Sequence, residues 1–251
     1  MLRIIGIGPG SKEHMTYRAA EAIASSQVIV GYKTYIDLIK DLITDQEVVQ
    51  NGMKREVERC EKAIEIARTG KSVAVISSGD AGVYGMAGLV LELLGDEDMA
   101  VEIIPGVTAS SAAASIAGAP LMHDYCHISL SDLLTPLDKI EKRVRAAIQG
   151  DFVICFYNPR SKGRPDHLEQ AFKWIKEETE VDLSVAVVKD ASREGQKCLY
   201  GSVNHFDFER LCPSSPLLDC HLSHLNCSNF RIAKRIGDKP QKPKGTSMVL
   251  S

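Results

Sequence analysis

Apolar residues along this chain fall in short runs separated by longer amphipathic stretches, and that alternation predicts its elements. LRIIGI at 2–7 predicts a buried strand ending in a glycine turn, followed by a polar helix from Glu13 to Ser25 and a short strand from Val28 to Val30. REVERCEKAIEIART at 55–69 has helical spacing and stops at Gly70, where a left-handed cap is favoured. SVAVI at 72–76 predicts the next buried strand, then a glycine loop and a helix. Val101 to Ile104 predicts another, then Pro105-Gly106 and a helix of small residues.

The pattern pauses at Gly118-Ala119-Pro120 and restarts with HISL at 127–130. A helix from Lys139 to Ile148, the strand FVICFY at 152–157, a helix from Asp166 to Glu178 and the strand LSVAVV at 183–188 follow. Strands alternating with helices predict largely parallel sheets covered on both faces. The chain therefore reads as two α/β domains, residues 1–119 and 120–210. Periodicity fades after Phe208. Residues 211–251, with four of the ten prolines and three of the seven cysteines, read as a divergent, partly disordered tail.

Composition narrows the function classes. The chain has 251 residues, 44% hydrophobic and 25% charged, as in ordinary globular proteins. A net charge of −3 argues against a general nucleic-acid binder, which needs a strongly basic face. No apolar run approaches the roughly 18 residues that cross a bilayer. MLRIIGIGPG lacks the features of a signal peptide, so the expectation is a cytoplasmic protein with no membrane partner. Cys60, Cys126, Cys155 and Cys198 are too widely spaced to suggest a disulfide framework. Cys212, Cys220, His221, His224 and Cys227 lack the paired spacing of a zinc site, and no metal is expected.

Candidate chemistry sits in loops that follow strands. Gly6-Ile7-Gly8-Pro9-Gly10 departs from the dinucleotide fingerprint: Ser11 follows Gly10, and Pro9 removes an N–H that a pyrophosphate would use. Gly31 follows the next strand where a ribose-binding acid would stand, so a nicotinamide enzyme is not expected and a tight turn is the plain alternative. The loop from Ser77 to Gly88 carries glycines at 79, 82, 85 and 88. Glycine in a helix interior costs about 1 kcal/mol against alanine, so a close approach by a ligand or another backbone should offset it. Pro105 to Ser115 is small throughout, with Thr108 or Ser110 available as a helix cap. Phe156-Tyr157-Asn158-Pro159-Arg160-Ser161-Lys162 adds a cationic rim at another strand end.

Taken in order, GIGPG, SSGDAGVYG, PGVTASSAAAS, HISLSDLLTP and FYNPRSK resemble the tetrapyrrole (corrin/porphyrin) methylase family over residues 2 to 208. VGYKTYIDLI at 30–39 and GMKREVERC at 52–60 are similar to the branch that methylates ring carbon C-17. The resemblance implies two α/β domains with S-adenosylmethionine in the cleft between them, a homodimer, and an anionic tetrapyrrole substrate that is methylated at C-17 with ring contraction. Carried onto this chain, it implies a cofactor site of Pro9, Ser78, Gly79, Asp80, Val83, Thr108, Ala109, Tyr157, Asn158 and Ala191. The substrate carboxylates would meet cations, and the candidates are Lys12, Lys33, Lys54, Arg55, Arg160 and Arg164. Ring contraction needs proton movement. His123, Asp124, His127 and Asp132 are candidates for it, and for each a structural or capping role competes. After HFDFE at 205–209 the chain departs from the family, which would continue with an apolar strand and a glycine-asparagine turn. A second reading follows from that departure: a catalytically silent protein that binds S-adenosylmethionine or a tetrapyrrole.

Overall fold

The computed structural model describes residues 1–52, 55–160, 165–208, 225–226 and 248–250. The elements in chain order are β1 (Leu2–Gly6), α1 (Tyr17–Ala24), β2 (Val28–Tyr32), α2 (Lys33–Leu38), β3 (Glu47–Asn51), α3 (Glu56–Arg68), β4 (Val73–Ser77), α4 (Met86–Leu94) and β5 (Val101–Ile104). They continue with α5 (Ala109–Ile116), β6 (Tyr125–Ser129), α6 (Leu137–Gln149), β7 (Val153–Tyr157), α7 (His167–Glu178), β8 (Ser184–Lys189), β9 (Lys197–Ser202), β10 (Leu225–Asn226) and β11 (Met248–Leu250). The chain divides into two compact units, Met1–Ala109 and Ser110–Ser251.

In the first unit, five strands form a sheet in the order β3-β2-β4-β1-β5, with every pairing parallel. Parallel strands need crossovers, and helices on both faces supply them. Side chains of a strand alternate between faces, and here both faces are apolar. Leu2 and Ile4, Val28 and Val30, and Val73 and Val75 face a core completed by Cys60, Ala63 and Ile64 of α3 and Ala87, Val90 and Leu94 of α4. Their neighbours Ile5, Ile29, Ala74 and Ile76 face the opposite core with Ala19, Ala22 and Ile23 of α1. This is why the sequence shows near-continuous apolar runs here and no apolar-polar alternation.

The second unit has one sheet in the order β10-β8-β11-β7-β6, and β9 also pairs with β8. β6, β7, β11 and β8 run parallel, whereas β9 and β10 are antiparallel to β8. α6 and α7 lay Ile140, Val144, Leu168, Ala171, Phe172 and Ile175 against Ile128, Ile154, Phe156, Val185 and Val187 of the sheet. The Arg145 guanidinium on α6 bonds Glu141 of its own helix and Glu177 and Glu178 of α7 at 2.6 to 2.8 Å, which links the two helices at their surface.

Several local expectations change. The helix expected over 13–25 is split: a short 3-10 turn at Lys12–His14 precedes α1. Thr16 caps α1 instead, its side chain accepting from the Ala19 N–H at 3.1 Å. α2, β3 and β9 were not visible in the periodicity, because β3 carries polar residues at Glu47, Gln50 and Asn51 and β9 contains Gly201. The tail reading assigned no strand beyond Phe208, yet Met248–Leu250 pairs in parallel between β7 and β8. A three-residue apolar segment is too short to show a period, and only the vacant position in the sheet defines it. Residues 227–247, with the expected disorder at GDKPQKPKGTS, lie outside the described residues.

Phe172 is fully buried and meets the rings of Phe206 and Phe208 edge-on at 5.7 and 5.2 Å. Phe172→Ala should lower the stability of the second unit by about 3–5 kcal/mol. Urea unfolding followed by Trp174 fluorescence reads this; a loss below about 1 kcal/mol would mean that the aromatic cluster is not part of the core.

Candidate functional site

β4, β1 and β5 are neighbours and parallel, so the loops leaving their carboxyl ends emerge at one edge of the first sheet. Ligands of open α/β sheets bind at such an edge. Here the three loops pack backbone on backbone. The Gly8 N–H donates to the Gly79 carbonyl at 3.0 Å, and the Gly79 N–H returns a bond to the Gly8 carbonyl at 2.8 Å. A Cβ on Gly6 would lie 2.7 Å from the Gly106 nitrogen and 2.8 Å from the Gly79 oxygen. A Cβ on Gly106 would overlap the Gly79 oxygen and sit 2.6 Å from the Gly6 oxygen. Gly6 and Gly106 have no room for a side chain.

Asp80 closes the arrangement. Its Oδ1 accepts from the N–H groups of Gly82 at 2.7 Å and Val83 at 3.1 Å, and its Oδ2 accepts from Gly106 at 3.0 Å. One carboxylate thus ties the loop after β4 to the loop after β5. Gly79 is buried with φ +67°, a left-handed conformation that side chains resist. The Gly8 N–H is spent on the Gly79 carbonyl and is not available to a phosphate oxygen. The glycine expectation also narrows: of the four from Gly79 to Gly88, only Gly88 lies inside a helix, and no described heavy atom stands within 4 Å of where its Cβ would be. Its cost is not offset by close packing.

Of the sequence candidates, Pro9, Ser78, Gly79, Asp80, Val83, Thr108 and Ala109 belong to these loops or the residues flanking them. Tyr157, Asn158 and Ala191 belong to the second unit, again at the carboxyl ends of strands. Asn158 has φ +52° and donates from Nδ2 to Ser129 Oγ at 3.1 Å, while the Leu130 N–H donates to the Tyr157 carbonyl at 2.8 Å. Asp190 and Ser192, at φ +53° and +61°, hold the buried Ala191 in a tight turn closed by the Arg193 N–H on the Asp190 carbonyl at 2.9 Å. Non-glycine residues in this conformation are uncommon and collect at ligand sites.

The cationic candidates disperse. Lys12 pairs with Asp41 at 2.8 Å, Lys33 with Asp37 at 3.0 Å and Arg55 with Glu58 at 3.5 Å, all on exposed surface. Arg160 is mostly buried; its Nε donates to the Pro165 carbonyl at 2.6 Å, and its guanidinium lies 3.7 Å from Glu169. Lys54 and Arg164 lie outside the described residues. Among the proton-transfer candidates, His123 and Asp124 are exposed, and Asp132 lies 3.6 Å from His167 Nε2. His127 is half-buried and bonded to Ser110, and burial pushes its imidazole below the usual range. Sequence reasoning gave Ser110 no role beyond a possible cap, and Gly6 and Gly106 none beyond their motifs. Ser110 had no local signal, because its partners are 17 and 47 residues away.

The family described as Tetrapyrrole (Corrin/Porphyrin) Methylases matches residues 1–207, so this chain belongs to that family and is a methyltransferase. A probable cobalt-factor III C(17)-methyltransferase of Salmonella typhimurium is 56% identical over 211 residues, 83% of this chain and 88% of that protein. A precorrin-3B C(17)-methyltransferase of a Sinorhizobium species is 38% identical over 214 residues, 83% of this chain and 84% of that one. The crystal structure of the methyltransferase CobJ superposes with a TM-score of 0.77 at 35% identity, covering 82% of this chain and 87% of that one. The family is S-adenosylmethionine-dependent.

Two substitutions separate the glycines. Gly106→Ala must move backbone, and should cost about 1–3 kcal/mol. Gly88→Ala in the open face of α4 should add about 0.5–1 kcal/mol. Thermal melts of both variants test the nest; equal effects would show that the loops do not interlock.

Proposed function

We propose that this chain methylates C-17 of precorrin-3B, or of its cobalt-containing counterpart cobalt-precorrin-3, with contraction of the macrocycle, in cobalamin biosynthesis. The observation that carries the reading is 56% identity to the Salmonella relative over 83% of this chain. S-adenosylmethionine supplies the methyl group as the electrophilic carbon of a sulfonium. The residues fit such a group: around Gly79 and Ala109 the chain has little side-chain bulk, so main-chain N–H and C=O groups can reach a ligand directly. Pro9, Ser78, Gly79, Asp80, Val83, Thr108 and Ala109 from the first unit, with Tyr157, Asn158 and Ala191 from the second, are the proposed cofactor residues.

Methyl transfer requires the ring carbon, the methyl carbon and the sulfur in line, so positioning carries much of the rate. The bonds that brace the loops after β1, β4 and β5 against one another serve that need. Substrate carboxylates are proposed to draw on Lys12, Lys33, Lys54, Arg55, Arg160 and Arg164. The exposed partners of Lys12, Lys33 and Arg55 hold them weakly, so exchange for a substrate carboxylate costs little. Among the described residues no helix is long and apolar enough to cross a membrane. A cytoplasmic homodimer completes the proposal, and sedimentation tests the dimer.

Purified protein given methyl-labelled S-adenosylmethionine and precorrin-3B, or the cobalt form, should place label at C-17. Cofactor binding in calorimetry without label transfer would instead support the silent binding protein. Lys12→Ala and Lys33→Ala should each raise KM for the tetrapyrrole roughly two- to fivefold with kcat unchanged, the modest scale of exposed charges. Unchanged KM in both would remove them from the substrate site.

A further inference from the structure

Side chains distant in sequence help to hold the start of α5. The first N–H groups of a helix have no acceptor within it. Ser110 is the second residue of α5, directly after Thr108 and Ala109, and its N–H donates to the Tyr157 hydroxyl oxygen at 3.1 Å. Both residues are buried, Ser110 completely. The Ser110 hydroxyl lies 2.8 Å from His127 Nε2.

His127 and Tyr157 stand on neighbouring parallel strands, His127 opposite Cys155 and Tyr157 opposite Ser129. Their rings meet edge to face at 5.2 Å. His127 therefore touches the ring of Tyr157 and, through Ser110, holds the donor aimed at the Tyr157 hydroxyl. Burial disfavours the imidazolium, and the neutral ring pairs through Nε2 with the Ser110 hydroxyl, which can both donate and accept. Such a network is costly unless complete, and apolar side chains would serve packing alone as well. Its position gives it another use, because it joins the residue next to Thr108-Ala109 to the residue before Asn158.

We propose that His127 is a positioning residue for methyl transfer, acting through Ser110 to hold the start of α5 and the Tyr157 hydroxyl in one arrangement. The inference rests on the reading that Thr108, Ala109, Tyr157 and Asn158 meet the cofactor. It removes His127 from the general acid and base candidates: its Nε2 is committed to Ser110, and its work is orientation. A small misplacement of reacting groups is enough to lower the rate a hundredfold, so the expected effect falls on kcat.

The test uses the full chain, with S-adenosylhomocysteine as the binding probe and the labelled-methyl assay for turnover. His127→Leu should lower kcat about tenfold or more and weaken S-adenosylhomocysteine binding several-fold, leaving KM for the tetrapyrrole within twofold. His127→Gln, whose amide oxygen can accept from Ser110, should recover kcat to within about threefold of wild type. Ser110→Ala should match His127→Leu, and the double variant should be no worse than either, because the two residues act as one unit. Near-UV circular dichroism confirms the fold of each variant, and Ser110→Ala keeps the test alive if His127→Leu does not fold. Wild-type kcat in Ser110→Ala, failure of His127→Gln to recover, or multiplying effects in the double variant would each overturn the proposal. Wild-type protein that does not bind S-adenosylhomocysteine would overturn the cofactor reading, and this inference with it. Normal binding by wild type and unaffected variants would sink the inference alone.

Discussion

Three glycines meeting without side chains set the geometry of the first unit. Gly6, Gly79 and Gly106 bring the ends of β1, β4 and β5 within backbone contact of one another, and a single methyl group on Gly6 or Gly106 has nowhere to go. The reciprocal bonds between Gly8 and Gly79 and the Asp80 carboxylate on Gly82, Val83 and Gly106 then convert contact into a fixed shape. The parallel sheet makes this possible, because it delivers three carboxyl ends to one edge. The proposed cofactor residues of the first unit, Pro9, Ser78, Gly79, Asp80, Val83, Thr108 and Ala109, lie in or beside these loops, so their placement depends on that nest.

The second unit reaches order at its strand ends by different means. It has fewer glycines at these positions and more strained side-chain-bearing residues: Asn158, Asp190 and Ser192 all adopt left-handed backbone. Asn and Asp tolerate this conformation, whereas Ser192 depends on its surroundings, here its N–H bonded to Gln196 Oε1 at 2.8 Å. Below these turns, the Ser110, His127 and Tyr157 contacts supply buried polar order, while Phe172 and the helices α6 and α7 supply apolar bulk.

Much of the fold was legible along the chain. The runs LRIIGI, SVAVI, FVICFY and LSVAVV announced strands because both sheet faces are buried, and each is a strand within one or two residues. REVERCEKAIEIART announced a helix because α3 is amphipathic. β3, with polar residues exposed at the sheet edge, and β11, too short to carry a period, had no such signature. Motif order also identified the family, since the glycines and small residues of its loops are requirements that local sequence must satisfy.

Only the tertiary structure decided what each of those residues does. Gly88 and Gly106 look alike in the sequence, yet one faces open space and the other has neighbouring backbone where its side chain would be. Asp80 reads from the sequence as a ligand contact, and the fold shows that its carboxylate also accepts main-chain bonds from two loops. Lys12 and Lys33 read as candidate contacts for substrate carboxylates, and the fold gives each a carboxylate partner of the chain itself, while Ser110, with little to mark it, joins His127 to Tyr157. Sequence by itself determined the strands, the helices and the family, because burial periodicity and loop composition are local properties of the chain. Partner choice is not local: it is set by which loops the sheet order brings together, and residues 47 apart meet only when the chain has folded.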